Sequence, residues 1–142
     1  MRSGRWVARI GGCLVLPVAV IGLTGCVNSL QSRADDLAQC LQRHGMQATA
    51  NSHGNEGISV NGNSRQIDYA EVHVEPDVGK GPPRYNVQVY KSADDGRTWI
   101  LGLNKPGSAR EALLVDGGRA LMFGLGVREQ QSLVQDCLNS VS

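Results

Sequence analysis

Apolar residues recur every three or four positions near both ends of the region from residue 28 to residue 141, which is the period of a helix with one buried face. The first helix is predicted over 28–43, with the apolar positions Leu30, Ala34, Leu37 and Leu41. Gly45 is a predicted stop, because glycine readily adopts the left-handed conformation that ends a helix. The apolar face of a C-terminal helix comprises Leu133, Val134, Cys137, Leu138 and Val141.

Between these helices the period changes to two, which indicates half-buried strands. Val72 and Val74 alternate with polar residues, and Val87 and Val89 do the same. The pair at 61–62, Asn-Gly, is a strong hairpin signal because both residues tolerate positive φ. The proline- and glycine-rich stretch from Pro76 to Pro83 predicts an exposed loop.

The segment before the glycine pair at 117–118 has two interpretations. Ser108 and Glu111 have the spacing of a capping box, which predicts a short helix from Ala109 to Val115. The alternative is a strand that pairs through the turn at 116–118. The apolar run 120–123 then predicts a covered strand. The expected fold is α+β, with an antiparallel sheet of about four to six strands packed against N- and C-terminal helices.

The first 23 residues have the layout of a secretory signal peptide. Arg2, Arg5 and Arg9 form a cationic start, and an apolar run follows from Ile10 to Leu23. This run is too short for a membrane-spanning helix, which needs about 20 apolar residues. The chain is therefore predicted to be exported.

The tetrapeptide Leu23-Thr24-Gly25-Cys26 resembles the lipobox of bacterial lipoproteins. The resemblance implies cleavage by signal peptidase II before Cys26, which becomes the lipidated first residue. A single acyl chain holds a protein only marginally, whereas the diacylglycerol of this class supplies at least two chains. We therefore expect a lipid anchor on the exported side of a bacterial envelope membrane. If the envelope has two membranes, the presence of Val27 rather than aspartate after Cys26 resembles the pattern of outer-membrane sorting.

Cleavage at this point divides the chain into a signal peptide, residues 1–25, and one globular domain, residues 26–142. Without the three arginines of the signal peptide, 11 basic residues face 13 acidic ones, a net charge of −2. Nucleic-acid binding normally needs a cationic surface. The composition thus excludes nucleic acid as an expected partner.

Two cysteines remain in the exported domain once Cys26 is lipidated. An even pair in an oxidising compartment predicts a disulfide between Cys40 and Cys137, which would join the first and last helices. A thiolate pair for metal or redox chemistry is the competing interpretation, but it usually has a C-x-x-C spacing, which is absent.

The segment from Ser92 to Trp99 matches the pattern S-x-D-x-G-x-T-W and resembles an Asp-box. In the families that carry it, the Asp-box is a small structural β-hairpin, repeated in the blades of sialidase-type propellers. The resemblance implies a structural hairpin that uses Ser92, Asp94, Gly96, Thr98 and Trp99. A propeller needs several such repeats, so the resemblance does not imply glycosidase activity.

The strongest constellation of chemically active side chains is Glu71, His73 and Glu75, which alternate along one strand and so share a face. Two carboxylates beside an imidazole suit a divalent metal. Successive positions on a face are about 6.6 Å apart, too far for all three to reach one ion without another strand. A solvated strand face is the alternative. No catalytic serine, phosphate-binding loop or cofactor motif accompanies them, so we expect neither an enzyme nor a cofactor.

The expected function is a non-catalytic binding module for an envelope protein or ligand. Two alternatives stay open. One is a metal-binding or hydrolytic domain centred on Glu71, His73 and Glu75. The other is an inhibitor or immunity-type protein that blocks an exported enzyme with the loop from Pro76 to Pro83.

Overall fold

Three helices and six strands form the part of the chain that the computed structural model describes, residues 29–51, 54–76, 81, 83–103 and 112–141. The lipobox, the signal peptide and the Ser108–Glu111 capping box lie outside these ranges. None of the helices within them has the length and apolarity needed to cross a bilayer. In chain order the elements are α1 (Ser29–Arg43), β1 (Gln47–Ala50), β2 (Gly54–Val60), β3 (Asn63–Glu75), β4 (Arg84–Tyr90), α2 (Ala93–Leu103), β5 (Ala112–Val115), a 3-10 turn (Asp116–Gly118), β6 (Ala120–Leu125) and α3 (Val127–Ser140).

Helix α1 ends where the sequence predicts. Gly45 has a φ of +83°, and the backbone N–H of Met46 donates to the carbonyl of Leu41 at 3.1 Å. The N–H of Gly45 donates to the carbonyl of Gln42 at 3.0 Å. These two bonds form a Schellman motif, which satisfies free carbonyls at the helix end.

The sheet is antiparallel throughout, in the order β1-β3-β4-β6-β5, and β2 pairs with β3 alongside β1. The long strand β3 pairs with β2 through its first half and with β1 through its last four residues. Asn61 and Gly62 form the tight turn of the β2–β3 hairpin, with φ values of +52° and +81°. The predicted hairpin is confirmed.

Each face of the sheet has its own core. On one face, α1 and α3 pack over the buried valines and other apolar side chains of β3, β4 and β6. On the opposite face, α2 contributes Trp99 to a smaller cluster with Ile67, Tyr90 and Leu121. The predicted α+β fold, with terminal helices packed on an antiparallel sheet, is confirmed. The additional helix on the second face was not predicted.

The disulfide between Cys40 and Cys137 joins α1 to α3, with their Cα atoms 5.7 Å apart. Each cysteine lies in the last turn of its helix, so the C-terminal ends of both helices meet at the bridge. Both side chains are buried. The predicted pairing and the predicted link between the terminal helices are confirmed.

The Asp-box interpretation is wrong, because residues 93–103 form helix α2 and not a hairpin. Ser92 caps this helix, and its hydroxyl accepts a bond from the backbone N–H of Asp95 at 3.2 Å. The helix start therefore uses Ser92 with Asp95, three residues further on, and not the Ser92–Asp94 spacing of the Asp-box pattern. Gly96 is required for packing, since a Cβ there would lie 2.0 Å from the carbonyl oxygen of Gly118.

The other three residues of the predicted hairpin also lie in helix α2. Asp94 is in the first turn of α2, where a negative charge is favourable, and it pairs with Arg65 at 3.1 Å. Thr98 is half-buried. Trp99 is nearly buried and lies against Tyr69, with ring centroids 6.0 Å apart. Its predicted structural role therefore comes from a helix.

The predicted helix over 109–115 is also wrong for its described part, because 112–115 is strand β5. The alternative interpretation, a strand paired through the turn at 116–118, is confirmed. Gly117 and Gly118 adopt positive φ in that turn. Leu113 and Val115 pack in the core on one face of the sheet, while Ala112 and Leu114 pack in the core on the other face. Alternate residues of β5 thus contribute to both cores.

Two ends of the domain can be distinguished along α1, which is about 22 Å long for its 15 residues. At its start, Arg33 forms an ion pair with Asp116 of the 3-10 turn. We call this the N-terminal pole. At its end lies strand β1, whose Gln47 pairs with Glu75 at the end of β3. We call this the distal pole.

Candidate binding groove

Helix α2 covers only part of its face of the sheet. The covered part includes the cross-strand pair of Tyr69 and Tyr90. Toward the distal pole, the next pairs on this face are Glu71 with Gln88 and His73 with Asn86. All three predicted residues thus lie on the polar half of the sheet face, and they are half-buried rather than fully solvated.

Glu71 belongs to a hydrogen-bond chain that ends inside the second core. The Tyr90 hydroxyl donates to Gln88 Oε1 at 2.7 Å, and Gln88 Nε2 donates to Glu71 Oε2 at 3.2 Å. Tyr90 and Gln88 are both buried. Because a buried polar group without a partner costs about 1–3 kcal/mol, this chain holds Glu71 in a fixed structural position.

His73 and Glu75 form a separate group with Asn86. Nδ1 of His73 is 2.5 Å from Asn86 Oδ1, and Nε2 is 3.2 Å from Glu75 Oε1. In this arrangement both ring nitrogens face oxygen acceptors, which suits the doubly protonated imidazolium. The Asn86 hydrogen bond and, after it, the Glu75 carboxylate raise the pKa of His73 against a smaller lowering by burial.

This arrangement bears on the predicted metal site. The Glu71 carboxylate accepts a hydrogen bond from Gln88, and the ring nitrogens of His73 face Asn86 Oδ1 and Glu75 Oε1. A cation between Glu71 and His73 would have to displace these hydrogen bonds. A site at Glu71, His73 and Glu75 stays a prediction. In the described part of the chain, the three metal-binding side chains whose ligand atoms lie within 4.8 Å of one another are Cys40, His44 and Cys137.

Beside His73 and Asn86 the face becomes apolar and forms a groove of about 380 Å³. Phe123 pairs with Asn86 across β4 and β6, and Leu125 pairs with Arg84. Leu125 is 64% exposed, so its side chain is open to solvent along the groove. We call this site the distal groove, and its lining is His73, Arg84, Tyr85, Asn86, Phe123, Gly124 and Leu125.

Gly124 sets the close approach of the two strands at the bottom of the distal groove. Its φ is +141°, and a Cβ would lie 2.6 Å from the carbonyl oxygen of Arg84 and 2.7 Å from Tyr85 Cα. Both the conformation and the contact therefore require glycine. The resulting surface offers an aromatic ring and an isobutyl group beside an imidazole and a guanidinium. Such a surface can hold an apolar group that has a hydrogen-bonding or anionic neighbour.

Sequence reasoning identified one strand of this site and missed the rest. Asn86 and Gln88 alternate visibly with the valines of β4, but their partners depend on the register of β3 and β4. Phe123 ends the apolar run 120–123, which predicts a covered strand. Leu125 lies two residues beyond that run, and its exposure has no local sequence signal. Arg84 follows the prolines at 82–83 and has no pattern that marks it.

Comparisons with protein-family models, with curated proteins and with solved structures found no match for this chain.

Proposed function

We propose that the protein is a lipid-anchored, non-catalytic binding module of the bacterial envelope, and that it captures its partner in the distal groove. The lipobox-like Leu23-Thr24-Gly25-Cys26 supports the anchor. The observation that carries the binding proposal is a groove of mixed apolar and cationic lining at the pole opposite the start of α1.

The position of the groove suits a tethered protein. Cys26 is three residues from Ser29, and three residues span at most about 11 Å. The start of α1 is therefore held near the membrane surface. The distal pole lies about 22 Å further along α1, where the groove opens to the aqueous compartment.

The lining also indicates the chemistry of the partner. Phe123 and Leu125 would bury an apolar side chain, while Arg84 makes no ion pair with any described residue and is exposed. A guanidinium binds carboxylates in bidentate geometry. The partner that fits is an envelope polypeptide with an apolar side chain next to a carboxylate.

The anchor is tested with the variant Cys26→Ala. We expect the parent to fractionate with membranes and to incorporate a radiolabelled fatty acid, and we expect the variant to lose both the label and the membrane association. Two acyl chains account for this difference, because each buried methylene contributes about 0.8 kcal/mol. An unlabelled parent, or a variant that stays in the membrane fraction, contradicts the lipobox interpretation.

The groove is tested by placing a photo-crosslinking amino acid at Leu125 in living cells. Leu101 on α2 is the matched control, since it is 63% exposed against 64% for Leu125. We expect an adduct of defined mass from position 125 and none of that mass from position 101. The yield of this adduct should fall several-fold when Arg84→Ala removes the guanidinium.

Two results would contradict the proposal that the partner binds in the distal groove. One is the same adduct from both positions, which would indicate non-specific contact. The other is an adduct at 125 that is unchanged by both Arg84→Ala and Phe123→Ala. The anchor and the groove fail independently, because Cys26→Ala changes only localisation.

A second candidate is an inhibitor of an exported enzyme. The observation in its favour is that Pro83, at the end of the predicted loop, lines a hollow of about 360 Å³ together with Leu125, Gly126, Glu129 and Gln130. The loop end therefore borders the distal groove. Identification of the crosslinked partner as an exported enzyme, with loss of its activity in the complex, would favour this candidate.

A further inference from the structure

His44 lies beside the disulfide that joins the two helices. It follows Cys40 by four residues, so the two side chains occupy the same side of the end of α1. Ligand atoms of Cys40, His44 and Cys137 lie within 4.8 Å of one another. The two cysteines are buried, whereas His44 is exposed to solvent.

Two thiolates and one imidazole are a typical donor set for zinc. Zinc–sulfur bonds of about 2.3 Å in tetrahedral geometry place two sulfurs about 3.8 Å apart. The Cα atoms of Cys40 and Cys137, 5.7 Å apart, allow this separation once the sulfurs are no longer bonded. The imidazole of His44, whose ligand atom lies within 4.8 Å of both sulfurs, then has to move closer to them, which an exposed side chain at a helix end permits.

The surrounding backbone favours a cation. Cys40 and Cys137 each lie in the last turn of a helix, and the two helix ends meet at the bridge. A helix C-terminus has the equivalent of about −0.5 elementary charge, so two of them face the same point. The exposed side of His44 leaves a fourth position open to water.

We propose that reduction of the Cys40–Cys137 disulfide creates, with His44, a three-ligand site for zinc. A dithiol reductant supplies two electrons and two protons: the sulfur–sulfur bond breaks, two thiols form, and the reductant becomes a disulfide. Zinc then displaces the two thiol protons and binds both thiolates and the imidazole. A disulfide oxidant reverses the exchange: it takes up two electrons and two protons and becomes two thiols, while the Cys40–Cys137 bond re-forms and zinc leaves. The same three residues thus hold either a covalent bridge or a metal.

The test uses the purified full chain in detergent, reduced with dithiothreitol and desalted without oxygen. Zinc binding is measured by competition with a chromophoric chelator, and cobalt is used as a spectroscopic probe for thiolate ligation. We expect one zinc per reduced chain, a thiolate-to-cobalt charge-transfer band, and a rise in the melting temperature with zinc. The oxidised parent should show none of these.

Two variants separate a built site from two free thiols. His44→Ala removes a direct zinc ligand. We expect the zinc affinity to fall by at least roughly 10- to 100-fold, which is the loss seen when only a hydrogen-bond partner of a metal ligand is removed. His53→Ala is the matched histidine control and should leave the affinity unchanged. Absence of zinc binding by the reduced parent, or equal affinity in the parent and His44→Ala, would overturn the site. Neither result bears on the anchor or the distal groove.

Discussion

The double variant Cys40→Ala/Cys137→Ala is expected to be less stable than the oxidised parent by about 4–5 kcal/mol. The bridge joins residues 97 positions apart. In the chain-entropy model, a closed loop of about 100 residues restricts the unfolded chain by about 4.7 kcal/mol. This is a large share of the 5–15 kcal/mol that stabilises a typical domain.

Urea unfolding followed by circular dichroism, in the presence of a chelator, measures this difference. The reduced parent is the matched control and should lose the same free energy as the double variant. A loss below about 1 kcal/mol in both would show that the helices are held together by packing alone. A loss in the variant but not in the reduced parent would assign the effect to the alanine substitutions.

The second large effect is expected for Trp99→Ala, which should lower the free energy of unfolding by about 3–5 kcal/mol. The indole is 9% exposed and packs in the cluster that attaches α2 to the sheet. Its removal leaves a cavity beside Tyr69, Tyr90 and Leu121 and deprives α2 of its largest contact. The change also removes the aromatic pair with Tyr69.

His73→Ala is the control for Trp99→Ala, because the His73 side chain is 40% exposed. The raised pKa of His73 stabilises the fold below the unfolded value near 6.5, and this contribution is lost as the pH rises through the folded pKa. We therefore compare the two variants by calorimetry at about pH 9, where the control should match the parent. A Trp99→Ala variant as stable as the control would contradict the packing role of α2.

Much of the fold is encoded in local patterns. The amphipathic period of α1 and α3, the alternation of β3 and β4 and the Asn61–Gly62 turn each correspond to the observed element. The cysteine pair was predicted from the expectation that export and lipidation leave two thiols. These features depend on residues that are neighbours in the chain or on simple elimination.

Helix α2 was not predictable in the same way. Gly96 and Gly102 lower its helix propensity, and both are explained only by distant contacts. A Cβ at Gly102 would lie 2.4 Å from Ile58 Cδ1, and one at Gly96 would meet Gly118. Tertiary packing thus outweighs propensity here.

The candidate site was predicted only in part for a related reason. Glu71, His73 and Glu75 share a strand face by their spacing, whereas Asn86, Phe123 and Leu125 join them through the register of three strands. Register is fixed by the two cores on both faces of the sheet. No local sequence pattern shows that helix α2 leaves the polar half of its sheet face uncovered.

The disulfide also determines how the molecule transmits force. Tension applied between the start of α1 and the end of α3 passes along α1, crosses from Cys40 to Cys137, and leaves through the last residues of α3. The residues between the two cysteines, which include the whole sheet and the distal groove, lie outside this covalent path. An oxidised molecule pulled from its ends therefore keeps the groove unloaded. A reduced one can extend by up to about 320–350 Å, because 97 further residues become part of the tensioned chain.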